Sequence, residues 1–258
     1  MDKVRVVTVT PDNVEREGFF CYKSKKKSEG YTRKMAWLQD RLAEGMVIKI
    51  LYEGKRSVAF IEYTPGEHAW RAVEAAGYLL IHCLWVVGKG KGKGYSTRLL
   101  GECLEDARAR GAHGVAMVTS RGNWLADDRI LRRHGYAHAD SAPPSFDLMV
   151  KRLGDVPSPA FPTDWSERAS AYGEGATIVY ADQCPYMPDA VSQARMAFQE
   201  RGVAVNVVQY QTAEALRAES PSAYGTFGIV LDGELFCTHY LGKRELKRLD
   251  EALAQRLE

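Results

Sequence analysis

The segment YLLIHCLWVVGKGKGKGYSTRLLGECLEDARARG, residues 78–111, decides the fold of this 258-residue chain. Its first ten residues are almost all apolar, as expected of a central strand that is covered on both faces. Alternating glycine and lysine follow, and then Leu99, Cys103 and Ala107 recur at the spacing of a helix. The order strand, glycine-rich turn and helix predicts a mixed α/β domain with a ligand site at the turn.

The same periodicities predict the rest of the first half. In chain order we expect a strand in VRVVTVT, a helix from Tyr31 to Glu44, a hairpin of Val47–Glu53 and Ser57–Tyr63, a strand at Val115–Thr119, a helix at Leu125–His134 and a strand at Phe146–Leu153.

A second domain is predicted at residues 176–258. Its elements should be a strand in ATIVYA, a helix from Pro185 to about Arg201, a strand in VAVNVVQY, a short helix at Ala213–Ala218, a hairpin turning at Asp232 and Gly233, and a helix at Glu245–Leu257. Residues 154–175 concentrate proline, glycine and serine without a clear period, and this composition indicates a linker after a first domain of residues 1–153.

The composition is that of a globular protein, with 45% hydrophobic and 26% charged residues. Five cysteines without a CxxC pair indicate neither a zinc site nor a disulfide framework, so we expect no metal. The beginning of the chain reads as a strand and no segment is apolar enough for a membrane span, which favours a cytoplasmic protein without a membrane partner.

Charge is divided unevenly, because residues 1–153 carry a net +8 and residues 154–258 a net −6. A basic first half suits a polyanion, either a phosphate-rich cofactor or a nucleic acid. The lysine run is short and sits in a structured turn without stacking aromatic residues, and we therefore expect no nucleic-acid partner.

Glycines at 88, 90, 92 and 94 would let the backbone approach a ligand closely, and the amides at a helix N-terminus carry partial positive charge. Together these features predict a pyrophosphate-binding turn. A flexible basic turn without a ligand is the alternative.

The stretch Lys91-Gly92-Lys93-Gly94-Tyr95-Ser96 resembles the acetyl-CoA loop of the GNAT superfamily, Gln/Arg-x-x-Gly-x-Gly/Ala, with Leu99 and Leu100 where that family has paired leucines. Lys91 replaces the usual Gln or Arg and Ser96 replaces a small residue, but neither change removes a backbone donor. The phrases FIEYTPGEHAWRAV, IHCLWVVGKGKGKGY and GVAMVTSRG are similar to the YoaP-type group of this superfamily, which also carries a C-terminal thioredoxin-like domain.

The resemblance implies an N-acetyltransferase that uses acetyl-CoA, with a mixed, splayed central sheet flanked by helices and a smaller thioredoxin-like α/β domain behind it. By register, the backbone of Leu84, Trp85 and Val86 would pair with the pantetheine arm. The side chain of Trp85 could equally belong to the core.

Acetylation of an amine needs a proton acceptor, and Glu62 is the first candidate. A half-dry cleft at the end of its strand would raise its pKa, and the resemblance implies a catalytic glutamate at this place. Pairing with an arginine or exposure to solvent is the alternative. Glu67 is the reserve, and His68 and His82 are further options, although a lone histidine in an apolar strand is more often a core residue.

The departing thiolate can take a proton from a general acid, which in this family is often a tyrosine in a pattern ending in a glycine-aromatic pair. Gly135-Tyr136 matches that ending, but Leu131 stands at the tyrosine position. Tyr136, Cys83 and Ser120 remain as candidates, unless the thiolate leaves unassisted.

The acceptor pocket is expected around a loop that contains Tyr63, Glu67, Trp70 and Arg71. These side chains could hold an amino acid or another small amine, or they could merely pack the loop.

In the second half, Cys184-Pro185-Tyr186-Met187 resembles the active-site turn of thioredoxins, with Met187 in place of the second cysteine and Gly225 where a cis-proline is expected. Both losses argue against dithiol exchange. A single thiolate at Cys184, activated by the helix N-terminus, is one alternative. A scaffold that closes over the acceptor site or forms a homodimer is the other.

Three functions therefore compete. The first is acetyl transfer to a small-molecule amine, the second is a non-catalytic acyl-CoA sensor, which the missing tyrosine favours, and the third is a redox module that uses Cys184.

Overall fold

Two β-sheets organise the chain in the computed structural model, which describes residues 3–254. The first sheet consists of β1 (Val4–Val9), β2 (Val47–Glu53), β3 (Arg56–Pro65), β4 (Tyr78–Val86), β5 (Gly114–Ser120), β6 (Ala137–Ala142) and β7 (Phe146–Arg152). The helices of this half are α1 (Val14–Glu17), α2 (Glu29–Ala43), α3 (Tyr95–Ala109) and α4 (Asp128–Arg133).

The strand order of the first sheet is β1-β2-β3-β4-β5-β7-β6. Only the β4–β5 pair is parallel, since α3 provides the crossover between these two strands. The predicted β2–β3 hairpin and the strand-turn-helix order of β4 and α3 are confirmed. Alternation along β3 and β4 places Ile61 and Leu84 in the core beneath α3, together with Leu99 and Cys103.

The second sheet is built from the C-terminal part of the chain. Its elements are β8 (Ala176–Tyr180), α6 (Met187–Gln199), β9 (Val205–Gln209), α7 (Ala213–Glu219), β10 (Phe227–Leu231), β11 (Glu234–Cys237) and α8 (Lys243–Ala254). The strand order is β11-β10-β8-β9, with β8 and β9 parallel. The predicted order βαβαββα and the hairpin at Asp232 and Gly233 are confirmed, while the expected end of the last helix at Leu257 lies outside the described residues.

The two halves share buried cores. One hydrophobic cluster joins Leu80 and Phe146 of the first sheet to Ile178 and Phe198 of the second half. Another joins Trp70 to Val179. The two sheets are therefore packed against each other, and side chains from both can line one site.

The segment predicted as a linker has structure of its own. Helix α5 (Trp165–Ser170) lies within it, and Ala160 forms an isolated antiparallel bridge with Glu74. Phe161 is buried in the cluster that joins the two halves. Residues 154–175 thus pack against the fold rather than crossing open solvent.

Several elements differ from the expectation. The short helices α1 and α5 were not predicted. Strand β6 was not predicted either, because its residues are mostly exposed and its only apolar residues are alanines. Helix α4 begins at Asp128 instead of Leu125, since the side chain of Asp127 caps its first turn by accepting from the amide of Arg129. Within residues 3–254, no helix combines the length and apolarity needed to cross a bilayer.

Candidate active site

A gap opens in the first sheet between β4 and β5. The two strands pair from Tyr78 opposite Gly114 to Ile81 opposite Met117, and no pairing follows. At this point β4 also changes its register with β3, because Glu62 lies opposite Cys83 while Tyr63 lies opposite Ile81. His82 is the extra residue of a β-bulge, which bends β4 away from its parallel neighbour. The predicted splayed sheet is confirmed.

A cavity of about 600 Å³, which we call the central cavity, lies beside the free part of β4. Side chains of both halves line it, among them Phe20, Phe60, Glu62, Arg71, Cys83 and Trp85 from the first half and Gln183, Cys184, Tyr186, Tyr224, His239 and Tyr240 from the second. Since the second sheet supplies much of the wall, the first half alone does not form this site.

The rim of the central cavity is apolar and exposed. The side chains of Trp85 and Trp124 are 49% and 62% exposed, and Val87 beside them is 36% exposed. All three line the central cavity. Apolar side chains concentrated around one opening are a typical feature of a ligand entrance.

Glu62 lies on the floor of this cavity in a buried ion pair. Its Oε2 is 2.8 Å from Nζ of Lys34, and Oε1 accepts a hydrogen bond of 2.7 Å from Nε2 of Gln183. Burial opposes ionisation, but the Lys34 ammonium and the contact with His82 outweigh it and lower the pKa of Glu62 to about 2. The raised pKa expected from the sequence is therefore wrong, because the cleft brings a cation to the carboxylate.

His82 is a buried, neutral residue in the structure. Its Nε2 accepts a hydrogen bond of 2.9 Å from the amide of Trp70, so the ring proton is on Nδ1, which lies 3.4 Å from Oε1 of Glu62. Burial lowers the pKa of His82 to about 4, and the nearby Arg71 and Lys34 charges act in the same direction. His82 thus positions Glu62 and the Trp70 backbone.

The glycine-rich turn, residues 88–94, leaves the start of α3 open. Gly92 and Gly94 adopt φ of +79° and +75°, and a Cβ at either position would meet no atom within 4 Å. Gly94 is the N-cap residue of α3, and no side chain within residues 3–254 caps this helix start. Amides of the first turn therefore point to open space, as an anionic ligand requires.

The side chains of this turn differ in how far they are available to contact a ligand. Lys91 is exposed, whereas Lys93 forms an ion pair of 2.6 Å with Glu53. Tyr95 is buried in the core beneath α3, so that only its backbone faces the turn, and Ser96 is partly exposed. Backbone donors rather than side chains are the common feature of this stretch.

The strand residues predicted to contact the cofactor lie beside the gap. Leu84 packs under α3, Trp85 faces the central cavity and Val86 ends the strand just before the turn. All three are in the part of β4 that β5 does not pair with. Their backbone groups on the β5 side are thus free of sheet hydrogen bonds.

Three hydroxyl or thiol groups were candidates for the acid. The hydroxyl of Tyr136 is buried without a hydrogen-bond partner among the residues described, and burial raises its pKa. Ser120 shares a hydrogen bond of 3.0 Å with Ser145. Cys83 lines the central cavity, and burial raises the pKa of its thiol.

Of the residues expected around the acceptor, Arg71 alone lines the central cavity. Tyr63 lies on the opposite face of the sheet, where its hydroxyl donates to Asp106 of α3. Trp70 is fully buried against Trp37, and Glu67 accepts a hydrogen bond from the amide of Gly77 on another face of the molecule.

Cys184 also lines the central cavity, near Cys21. Burial raises the pKa of the Cys184 thiol, and the hydrogen bond to the backbone at Tyr186 does not offset it. The activated thiolate considered from the sequence is thus not what the structure favours. No group of three or more His, Cys, Asp or Glu side chains in residues 3–254 is arranged to hold a metal ion.

His239 is a cavity residue that the sequence did not indicate. It follows β11, more than 150 residues from β4, so that no local pattern connects it with the site. Its Nδ1 lies 2.9 Å from the carbonyl oxygen of Tyr240, which can only accept, so Nδ1 carries the proton and Nε2 has a free lone pair. Asn123, in the loop after β5, donates to the neighbouring Thr238 carbonyl.

A model of the acetyltransferase (GNAT) family matches residues 13–136. The chain is 33% identical over 237 residues to a Bacillus subtilis (strain 168) protein described as "Uncharacterized N-acetyltransferase YoaP", covering 90% of this chain and 92% of that protein. Among solved structures, PaiA N-acetyltransferase from Thermoplasma acidophilum, in complex with coenzyme A, is 14% identical with a TM-score of 0.42, covering 58% of this chain and 99% of that one. A GNAT family acetyltransferase from Brucella melitensis, in complex with acetyl-CoA, is 16% identical with a TM-score of 0.40, covering 63% and 98%.

Proposed function

The chain belongs to the acetyltransferase (GNAT) family and is an N-acetyltransferase with acetyl-CoA as co-substrate, and from this premise we propose that it acetylates the amine of a small molecule held in the central cavity. The observation that carries the proposal is the arrangement along β4. An open helix start, a free strand edge and a cavity with an apolar rim follow one another within a short stretch of backbone. A long cofactor and an acceptor can thus approach the same strand from different sides.

Acetyl-CoA supplies the acetyl group as a thioester. In this proposal the amides at the start of α3, from Gly94 to Ser96, hold its pyrophosphate together with the backbone at Gly92. No side chain among the described residues caps this helix start, and the glycines leave room for close approach. Lys91 adds a positive charge beside them, and the backbone of Leu84, Trp85 and Val86 offers donors and acceptors to the pantetheine amides. Lys93 is assigned no direct contact, since its ammonium is paired with Glu53 and its amide donates to the Gly90 carbonyl at 3.4 Å.

The acceptor amine must lose its proton before or during attack. A carboxylate with a pKa of about 2 is a weak base at neutral pH, so Glu62 acts here as a positioning residue that orders Lys34 and Gln183. In this proposal Nε2 of His239 accepts the proton, because it has a free lone pair and lines the cavity.

Protonation of the leaving thiolate is assigned to Tyr136. Its hydroxyl is buried and has no hydrogen-bond partner among the described residues, so the phenol has a proton to donate. Burial raises its pKa, which keeps it protonated but also makes it a weaker acid than a free phenol. It belongs to the same core as Leu84 and Met117, which flank the gap. Cys83 is the alternative donor, since its thiol is kept neutral by burial.

Residues 176–258 are interpreted as a thioredoxin-like domain that follows a transferase domain of residues 1–153 and the packed segment 154–175. The parallel β8–β9 pair with α6 between the strands, and the hairpin beside it, support this interpretation. The domain closes the acceptor site, because Gln183, Tyr186 and His239 complete the wall of the central cavity. The thiol of Cys184 contributes to this wall and is not assigned a redox role.

The test is turnover by purified protein with acetyl-CoA and a panel of small amines, followed by release of free thiol. At least one amine should give acetylated product together with an equal amount of coenzyme A. If acetyl-CoA raises the melting temperature while every amine stays unmodified, the protein is better described as a non-catalytic acyl-CoA sensor than as a transferase. If acetyl-CoA causes no shift at millimolar concentration, the proposed cofactor site is wrong as well.

A further inference from the structure

Arg71 is a buried cation for which the described part of the chain supplies no counter-ion. The residue is 3% exposed, and no carboxylate within residues 3–254 lies within ion-pair distance of it. A guanidinium stays protonated in proteins, so this charge is permanent. Buried charges are normally paired, because removing an ion from water costs several kcal/mol.

The hydrogen bonds of Arg71 go to neutral oxygen atoms only. Nη1 donates to the Trp70 carbonyl at 2.8 Å, to Oε1 of Gln183 at 3.2 Å and to the hydroxyl of Thr226. Nη2 donates to the His82 carbonyl at 3.0 Å.

The remaining edge of the guanidinium has unused donors. Nε of Arg71 is buried without a hydrogen-bond partner in the described part of the chain, and Nη2, which donates to the His82 carbonyl, has a second hydrogen without an acceptor there. Two parallel N–H groups on one edge are the geometry that binds a carboxylate through both oxygens.

Lys23 also lines the central cavity, and its ammonium donates at 3.0 Å to the hydroxyl of Tyr52, which in turn donates to Glu17. The other charges of the lining add up to one unbalanced positive charge. Lys34 and Glu62 neutralise each other at 2.8 Å, and His82 is neutral because its Nε2 accepts from a backbone amide. Arg71 remains. Its guanidinium carbon lies 5.0 Å from the ring centroid of Tyr224, which compensates part but not all of the charge.

The walls above this floor are aromatic. Tyr186 packs edge-on against Tyr22 with centroids 4.5 Å apart, and Trp124 lies over Tyr240 with centroids 5.3 Å apart. Together with Phe60 they give the central cavity an apolar lining between the Arg71 floor and the rim.

We infer that the acceptor is an amine that also carries a carboxylate on an apolar or aromatic body, with Arg71 binding the carboxylate. This inference rests on the proposed function and specifies its substrate class. A single negative charge matches the single unbalanced positive charge, whereas a phosphate dianion would exceed it. Polyamines and aminoglycosides are excluded as good acceptors, since they would bring several cations to a floor that is already positive.

Three acceptors of matched shape test the inference: phenylalanine, phenylalanine amide and 2-phenylethylamine. Phenylalanine should be acetylated with a kcat/KM about 10- to 100-fold higher than either analogue that lacks the carboxylate, the usual effect of a lost charge-assisted hydrogen bond. The aminophosphonate analogue should be a poorer acceptor than phenylalanine. Titration calorimetry without acetyl-CoA should give the same ranking for binding, independently of turnover.

Substitutions assign the preference to Arg71. Arg71→Met should abolish the difference between phenylalanine and its amide, and Arg71→Lys should retain part of it. Arg217→Met is the matched control, because Arg217 donates to the carbonyl of the neighbouring Ala69 but does not line the central cavity. This control should keep the full preference.

The outcomes separate the two proposals. Three results would overturn the carboxylate inference while leaving acetyl transfer intact. They are acetylation of 2-phenylethylamine at least as efficient as that of phenylalanine, a preference for the phosphonate, and a preference for phenylalanine that persists in Arg71→Met. If Arg71→Met does not fold, the calorimetric ranking on the wild-type protein decides. Absence of turnover with these acceptors and with the whole panel of small amines would defeat the proposed function, and calorimetry would still show whether the carboxylate is recognised.

Discussion

Nζ of Lys34 in helix α2 and Oε2 of Glu62 in strand β3 lie 2.8 Å apart, with side chains only 2% and 3% exposed. Gln183 of the second half donates to the other oxygen of the same carboxylate. The pair therefore connects α2, the central sheet and the second half, and the desolvation of both charges makes its integrity decisive for the floor of the central cavity.

Replacing one partner of this pair should lower the free energy of unfolding more than replacing both. Glu62→Gln or Lys34→Met alone leaves a buried, uncompensated charge, and each should lower the free energy of unfolding by about 3–5 kcal/mol. The double variant Lys34→Met/Glu62→Gln should recover most of that loss. Urea denaturation of the four proteins measures the coupling, and additive losses in the double variant would show that the two charges do not interact.

The pair should also make stability depend on acid pH. The folded-state pKa of Glu62 is about 2, against an ordinary value of 4.5, so the ionised carboxylate stabilises the protein above pH 4.5. This contribution, about 3 kcal/mol, should be lost as the pH falls from 4.5 to 2. Over this pH range the free energy of unfolding of the wild type should fall relative to that of the double variant. A difference in free energy of unfolding that does not change with pH would contradict the low pKa of Glu62.

The glycine-rich turn should be sensitive to carboxylates on its open face. Gly92→Asp/Gly94→Asp should remove the melting-temperature shift that acetyl-CoA causes, because the new side chains repel the pyrophosphate and occupy its space. Gly111→Asp is the control, since Gly111 also has a positive φ, +65°, and open surroundings but lies at the other end of α3. Loss of the shift in the control as well would indicate a general effect on the helix.

Tyr136→Phe should separate catalysis from stability. Its hydroxyl has no hydrogen-bond partner among the described residues, so its removal should leave the melting temperature unchanged or slightly raised, while kcat should fall about 10- to 100-fold if this group is the acid. Tyr63→Phe is the opposite case, because that hydroxyl donates to Asp106. It should cost about 1 kcal/mol of stability and leave kcat unchanged. An unaltered kcat in Tyr136→Phe would remove Tyr136 from the mechanism.

His239→Gln should lower kcat/KM about 100-fold at neutral pH, and the loss should shrink at high pH, where the acceptor amine is already neutral. His68→Gln serves as the control, because His68 ends a 3-10 turn that does not line the central cavity. A loss in His239→Gln that is equal at every pH would indicate a role in packing instead of proton transfer.

The sequence by itself determined the elements whose information is local. Apolar runs, the Asp232-Gly233 turn and the strand-turn-helix order around residues 78–111 specify their own backbone conformations, so these predictions were confirmed. Strand β6 escaped prediction because an exposed, polar edge strand carries no hydrophobic period. Arg71 was predicted as an acceptor residue from its loop and lines the central cavity, and its role there stays a prediction. The same reasoning also selected Tyr63, Glu67 and Trp70, which face other parts of the fold.

Only the tertiary structure decided the chemistry of the site. The pKa of Glu62 depends on Lys34, which is 28 positions away, and the cavity wall depends on residues such as Gln183 and His239, which are more than 100 positions further along the chain. Burial and charge proximity are sums over spatial neighbours, and a linear pattern does not specify those neighbours. Whether a carboxylate acts as a base or as half of an ion pair is therefore decided by how α2 and the second half pack against β3.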